Sequence, residues 1–150
     1  TKPLPYLRSV CDTFCLSSTN AKWQKSIPEN DWVNYLERHD YPVSDSLAYQ
    51  CALHFDQDKR LKYFDECYTT VQLTSIRSSW GLKSTYFETD VDESGNVILE
   101  GRGFGHGVGL CQEGAMVMSR HGFSYADILH FYYTDVHLID LKYLSFFQEE

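Results

Sequence analysis

Fifteen residues constrain this chain more than any others: Gly101–Ala115, GRGFGHGVGLCQEGA. Gly103, Gly105, Gly107 and Gly109 alternate there, with Gly101 just upstream. Each glycine in an ordered segment costs about 0.5–1 kcal/mol in backbone entropy, so a run of them implies a geometric need. Alternation in an extended segment strips one face of side chains and lets a backbone or a ligand come close. His106 is the only polar side chain between Gly103 and Gly109. The run leads into a helix read over Leu110–His121, whose N-terminus offers free N–H groups, with Gln112 and Glu113 in its first turn.

Several chemistries compete for such a run. A phosphate-cradling loop fits poorly, because G-x-G-x-x-G is not matched and no P-loop Lys follows. A nucleophilic pair of Cys111 with His106 would place the thiol on the opening turn of a largely buried helix, a poor seat for a reactive group. A tight structural turn holding a satisfied histidine stays open beside a ligand-contacting loop.

The rest of the chain reads as a mixed α+β fold of short strands and helices. Trp23–Ile27 reads as a strand, and Glu29–His39 as a helix carrying Trp32, Val33 and Leu36 on one face. Residues 43–68 read as short strands about a turn at Asp56–Arg60. Leu73–Trp80 reads as a helix capped by Gly81. Thr85–Val91 and Asn96–Gly101 read as a β-hairpin, joined at DESGN, that leads into the Gly-His-rich loop. Two C-terminal helices follow, the second opened by Ser124 with Asp127 at the capping-box position, and Val136–Leu141 reads as a last strand.

Composition removes some function classes. A net charge of −8 argues against a nucleic-acid backbone as partner. No apolar stretch approaches the roughly 20 residues of a membrane-spanning helix. Five cysteines, an odd number without zinc-finger spacing, leave at least one unpaired within the chain and predict no metal site built from it alone. Aromatics at 15% suit a filled core or a sugar-stacking surface equally.

The glycine run resembles the C-terminal signature of the SpoIID/LytB family, also known for its amidase enhancers. The residues that carry the resemblance are Gly101, Gly103, Gly105–Gly109, Gln112, Gly114 and Ala115, then Gly122, Tyr125, Ile128, Leu129, Tyr132 and Tyr133. PYLRSV at Pro5–Val10 and LKSTYF at Leu82–Phe87 are similar to two further family segments. The resemblance implies that 1–150 is the C-terminal part of a single such domain. It implies a role on peptidoglycan in the cell envelope, periplasmic or extracytoplasmic, in sporulation or wall turnover. The activity implied is that of a lytic transglycosylase, in which one carboxylic acid serves as both acid and base. A non-catalytic amidase-enhancing or glycan-binding module is the alternative. The family's catalytic Glu and its zinc ligands belong to segments upstream of PYL. Glu29, Glu37, Glu66, Glu88, Glu93 and Glu100 do not match that acid, and Glu113 reads as a solvated helix-start carboxylate. Glycan strands and a cell-wall amidase are the implied partners. The substrate-contacting residues expected here are Gly103, Gly105, His106, Gly107, Gly109 and Gln112.

Overall fold

A computed structural model describes residues 4–8, 10–105 and 107–144. His106 therefore lies outside the described residues. The fold is α+β, with five α-helices and a three-stranded antiparallel sheet among the described residues. It divides into two compact units, Thr19–Gly107 and Thr1–Ser18 with Val108–Glu150.

The Thr19–Gly107 unit holds the sheet, in the order β1–β3–β2. β1 is Lys22–Pro28, β2 Phe87–Val91 and β3 Asn96–Arg102. β2 and β3 form the expected hairpin. At its turn the Asp92 carboxylate accepts from the Ser94 and Asn96 N–H groups, and Gly95 takes positive φ. Burial alternates along β3: Val97, Leu99 and Gly101 face the core, while Glu100 and Arg102 face out. Helices α1 (Glu29–Glu37), α2 (Ser46–Leu53) and α3 (Leu73–Trp80) complete the unit.

Trp32, Leu36, Phe64, Leu73, Ile76, Val97 and Leu99 are buried in its core. The one polar atom of Trp32 is satisfied there, its indole N–H donating to the Ala52 carbonyl at 2.9 Å. Gly81 ends α3 in the left-handed conformation, as its position predicts. Residues 43–68 depart from expectation. Instead of paired strands they contain α2, started by Asp45, whose carboxylate caps the Leu47 and Ala48 N–H groups. After α2 the chain is irregular and is clasped by buried Gln57. Its amide donates to the Thr85 and Phe87 carbonyls and accepts from the Leu61 N–H.

The other unit contains α4 (Gln112–Arg120) and α5 (Tyr125–Tyr132), with Met118, Ile128 and Tyr132 buried. The capping box of Ser124 and Asp127 forms as read from the sequence. Phe14, in a short 3₁₀ turn over Phe14–Ser17, meets Phe123 and Phe131 edge-on. Val136–Leu141 forms no strand: among the described residues no neighbouring strand supplies it with hydrogen bonds, and a lone extended segment gains none of its own. Among the described residues no helix is long and apolar enough to cross a membrane.

Gln57 is the clasp most open to a direct check. Gln57→Ala leaves two buried carbonyls and one N–H without their partner, and each such group costs about 1–3 kcal/mol. Urea unfolding should show a loss of about 3 kcal/mol through a lower midpoint at unchanged slope.

Candidate functional site

The glycine run is built outward from a buried hydroxyl. Ser84, of the LKSTYF segment, is fully buried. It donates to the Arg102 carbonyl at 2.7 Å and accepts from the Trp23 indole N–H at 3.2 Å. The Trp23 ring packs against Gly101, where an added Cβ would come within 2.0 Å of a ring carbon. Beyond β3, Gly103 N–H donates to the Ala21 carbonyl, and Gly105 N–H to the Lys83 carbonyl at 2.8 Å. A parallel bridge of Ser84 with Gly105 completes this lacing, so LKSTYF positions the loop.

The alternating glycines serve a different purpose from the one the sequence suggests. Gly103, Gly105, Gly107 and Gly109 all have positive φ, between 68° and 85°. An added Cβ would meet nothing within 4 Å at Gly105. Backbone conformation, rather than a cleared extended face, is what demands glycine there. Gly107 meets both demands, because a Cβ would lie 2.2 Å from the Arg60 guanidinium carbon.

Arg60 is a residue that sequence reasoning missed. The Gln57 side chain accepts from the N–H of Leu61, the residue after Arg60, and the Arg60 guanidinium lies 5.2 Å from the centroid of the Tyr86 ring. Arg102 approaches the same ring at 5.6 Å and also meets Glu88 at 3.6 Å. The Tyr86 hydroxyl donates to the Asp58 carbonyl at 3.1 Å, which fixes the ring. Desolvation lowers the pKa of Arg60 and the nearby Tyr86 opposes that shift, but a guanidinium stays charged at neutral pH. Among the described residues no carboxylate pairs with Arg60. The only local signal for this cluster was DQDKR, which reads as a turn.

Separately, the outward face of the sheet carries an open groove of about 430 Å³ lined by Gln24, His54, Glu88, Asp90, Ile98 and Glu100. Gln24 donates to Glu100 there, and His54 meets Asp90 at 3.0 Å. These polar groups satisfy one another.

In the other unit, Gly109 lies beside the Tyr133 hydroxyl, and Gln112 is exposed at the start of α4. Cys111 is the N-cap of α4, its sulfur accepting from the Gly114 N–H at 3.5 Å. Gly114 is required because a Cβ would come within 2.2 Å of the Tyr132 hydroxyl and 2.5 Å of the Asp12 carboxylate. That hydroxyl donates to Asp12 Oδ2 at 2.8 Å. Burial, then the Asp12 charge, push the nearby Cys15 thiol up to about 12. The structure thus places Gly103, Gly105 and Gly107 in one unit, and Gly109 and Gln112 in the other.

Comparison with known proteins adds relatives to this geometry. The chain is 41% identical over 149 residues to stage II sporulation protein D of Bacillus amyloliquefaciens, covering 91% of this chain and 38% of the relative. An uncharacterised protein of Brachyspira hyodysenteriae (strain ATCC 49526 / WA1) is 27% identical over 139 residues, covering 91% and 37% respectively. The amidase enhancer of Bacillus subtilis (strain 168) is 41% identical over 64 residues, 43% of this chain and 9% of that protein. The chain thus spans under two fifths of the length of the first two relatives. No family model matches it.

The glycines should separate by cause. Gly105→Ala meets open space and pays only for positive φ, about 1 kcal/mol. Gly101→Ala drives a methyl into the Trp23 ring and should lose about 2–3 kcal/mol in thermal unfolding, clearly more than Gly105→Ala.

Proposed function

The chain belongs to the SpoIID/LytB family, and we propose that it works on the bacterial cell envelope by contributing a surface that holds peptidoglycan glycan strands. The observation that carries this reading is the pair of guanidinium groups, Arg60 and Arg102, over the Tyr86 ring beside Gly103 and Gly107. Glycan strands freed of stem peptides expose a lactyl carboxylate on every muramic acid. Guanidinium groups suit that carboxylate through paired N–H donors, while planar guanidinium and phenol surfaces suit a sugar ring. Arg60, with no carboxylate of its own among the described residues, is the donor free for this contact. The adjoining glycine loop passes beside this cluster at Gly103 and Gly107, and His106 is proposed as a further polar contact. Gln112, exposed on the first turn of α4, is proposed as a glycan contact in its own right.

In this reading the full-length protein is a SpoIID-like lytic transglycosylase whose acid comes from the upstream segment. A second reading, a non-catalytic partner of a cell-wall amidase, draws support from the likeness to the Bacillus subtilis amidase enhancer.

Sedimentation with peptide-free glycan strands tests the reading. The chain should bind them, with affinity falling as salt rises, and should yield no 1,6-anhydro products on its own. Arg60→Ala should weaken binding about tenfold, as loss of a charge-assisted hydrogen bond of about 1.5–3 kcal/mol requires once solvent exposure is allowed for. His106→Ala should weaken binding while leaving thermal stability within about 0.5 kcal/mol. Chitin oligosaccharides, which lack the lactyl carboxylate, should bind less well and be indifferent to Arg60→Ala. Equal binding by wild type and Arg60→Ala contradicts the proposal. Stimulation of a cell-wall amidase by a chain that does not bind glycan favours the second reading.

A further inference from the structure

Within the unit formed by Thr1–Ser18 and Val108–Glu150, Asp12, Cys15 and Cys111 converge: one carboxylate oxygen and two sulfurs all lie within 4.8 Å of one another. Asp12 and Cys15 flank the start of the 3₁₀ turn, and Cys111 opens α4. Sequence spacing hides the set, because Cys111 follows the other two only after the whole Thr19–Gly107 unit.

We propose that these three side chains form a zinc site of this chain, with the fourth coordination position left to water. Two sulfurs and one carboxylate oxygen match the ligand preferences of Zn²⁺ and not the all-oxygen preferences of Ca²⁺ or Mg²⁺. With Zn–S near 2.3 Å and Zn–O near 2.0–2.2 Å, a tetrahedral site needs ligand atoms about 3.5–3.8 Å apart. The observed spread is therefore within a small side-chain adjustment of that geometry.

The surroundings are those of a ligand set held in advance. Asp12 Oδ1 accepts from the Phe14 N–H at 2.9 Å, and Oδ2 accepts from the Tyr132 hydroxyl at 2.8 Å. Such outer hydrogen bonds orient a ligating carboxylate and leave its other lone pairs available. Cys111 Sγ already accepts from the Gly114 N–H at the start of α4, which fixes the position of that sulfur. Gly114 lacks a side chain at the point where one would displace both Tyr132 and Asp12.

The proton balance is simple. Zn²⁺ enters and is held by two thiolates and one carboxylate, each thiol releasing its proton to solvent. Two thiolates and one carboxylate carry −3, and Zn²⁺ brings the occupied set to −1. Because two protons leave, apparent affinity should fall as the pH is lowered. The metal would tie the turn at Phe14–Ser17 to the start of α4.

The test uses the 150-residue chain, reduced and stripped with chelator. Elemental analysis after titration should find one zinc per chain, and zinc should raise the melting temperature. Replacing zinc with cobalt should give the near-ultraviolet charge-transfer band of sulfur–cobalt bonds. Cys15→Ser and Cys111→Ser should each lose that band and weaken zinc binding at least a hundredfold, and Asp12→Asn at least tenfold. Cys11→Ser, Cys51→Ser and Cys67→Ser should bind as wild type. Circular dichroism establishes that each variant is folded, and the cobalt spectrum of the wild type stands whether or not the variants fold. Absence of zinc uptake by the reduced wild type overturns the proposal. So does a cobalt–sulfur band that survives both Cys15→Ser and Cys111→Ser. Isolation of the native chain with Cys15 and Cys111 joined in a disulfide overturns it as well.

Discussion

The hydroxyl of Ser84 is the small group on which the Thr19–Gly107 unit depends most. It is fully buried and joins Trp23 on β1 to the end of β3 at Arg102. The same hydroxyl accepts from the Tyr86 N–H, just before β2. Burying a hydroxyl is unfavourable unless donor and acceptor capacities are both used, and here both are. It anchors the indole of Trp23, and that ring leaves no room for a side chain at Gly101, where the chain leaves β3. Beyond β3 the chain is tied by the bonds from Gly103 to Ala21 and from Gly105 to Lys83.

Two stretches that look unrelated in sequence therefore act as one device. LKSTYF supplies apolar anchors at Leu82 and Phe87, the buried hydroxyl at Ser84, and at Tyr86 the ring over which Arg60 and Arg102 lie. The glycine run supplies a backbone able to follow that template with positive φ at every second residue. Gly107 leaves the space that Arg60 fills. The same economy appears at Gly114, where absence of a side chain lets Tyr132 reach Asp12. The glycine-rich signature is thus a set of separate solutions: ring packing at Gly101, conformation at Gly105, room for a charged side chain at Gly107, and room for a hydrogen-bonded pair at Gly114.

What could be read from sequence followed from how local each feature is. Gly81 as a helix terminator, the Ser124–Asp127 box and the DESGN turn are decided within a few residues, and each stands as expected. The helix at Ser46–Leu53 carried its own signal in Asp45, hidden by a mixed polar and aromatic pattern that reads equally as strand. The strand expected at Val136–Leu141 failed because pairing is not local: alternation cannot show whether a partner edge exists. Arg60 and the Asp12–Cys15–Cys111 set were invisible for the same reason, being assembled across long stretches of chain. The glycine run was legible as special, but composition alone could not separate a cleared face from a left-handed backbone.

Amide hydrogen exchange in Ser84→Ala, compared with Arg60→Ala, tests most directly the claim that this hydroxyl sets the loop. Losing the buried hydroxyl should cost the local structure about 2 kcal/mol, so the amides of Arg102, Gly103 and Gly105 should exchange about thirtyfold faster. Amides of α1 should change less, and Arg60→Ala should leave all of them near wild type. Uniform acceleration across the whole unit, or unchanged exchange at Gly103 and Gly105, would contradict the account.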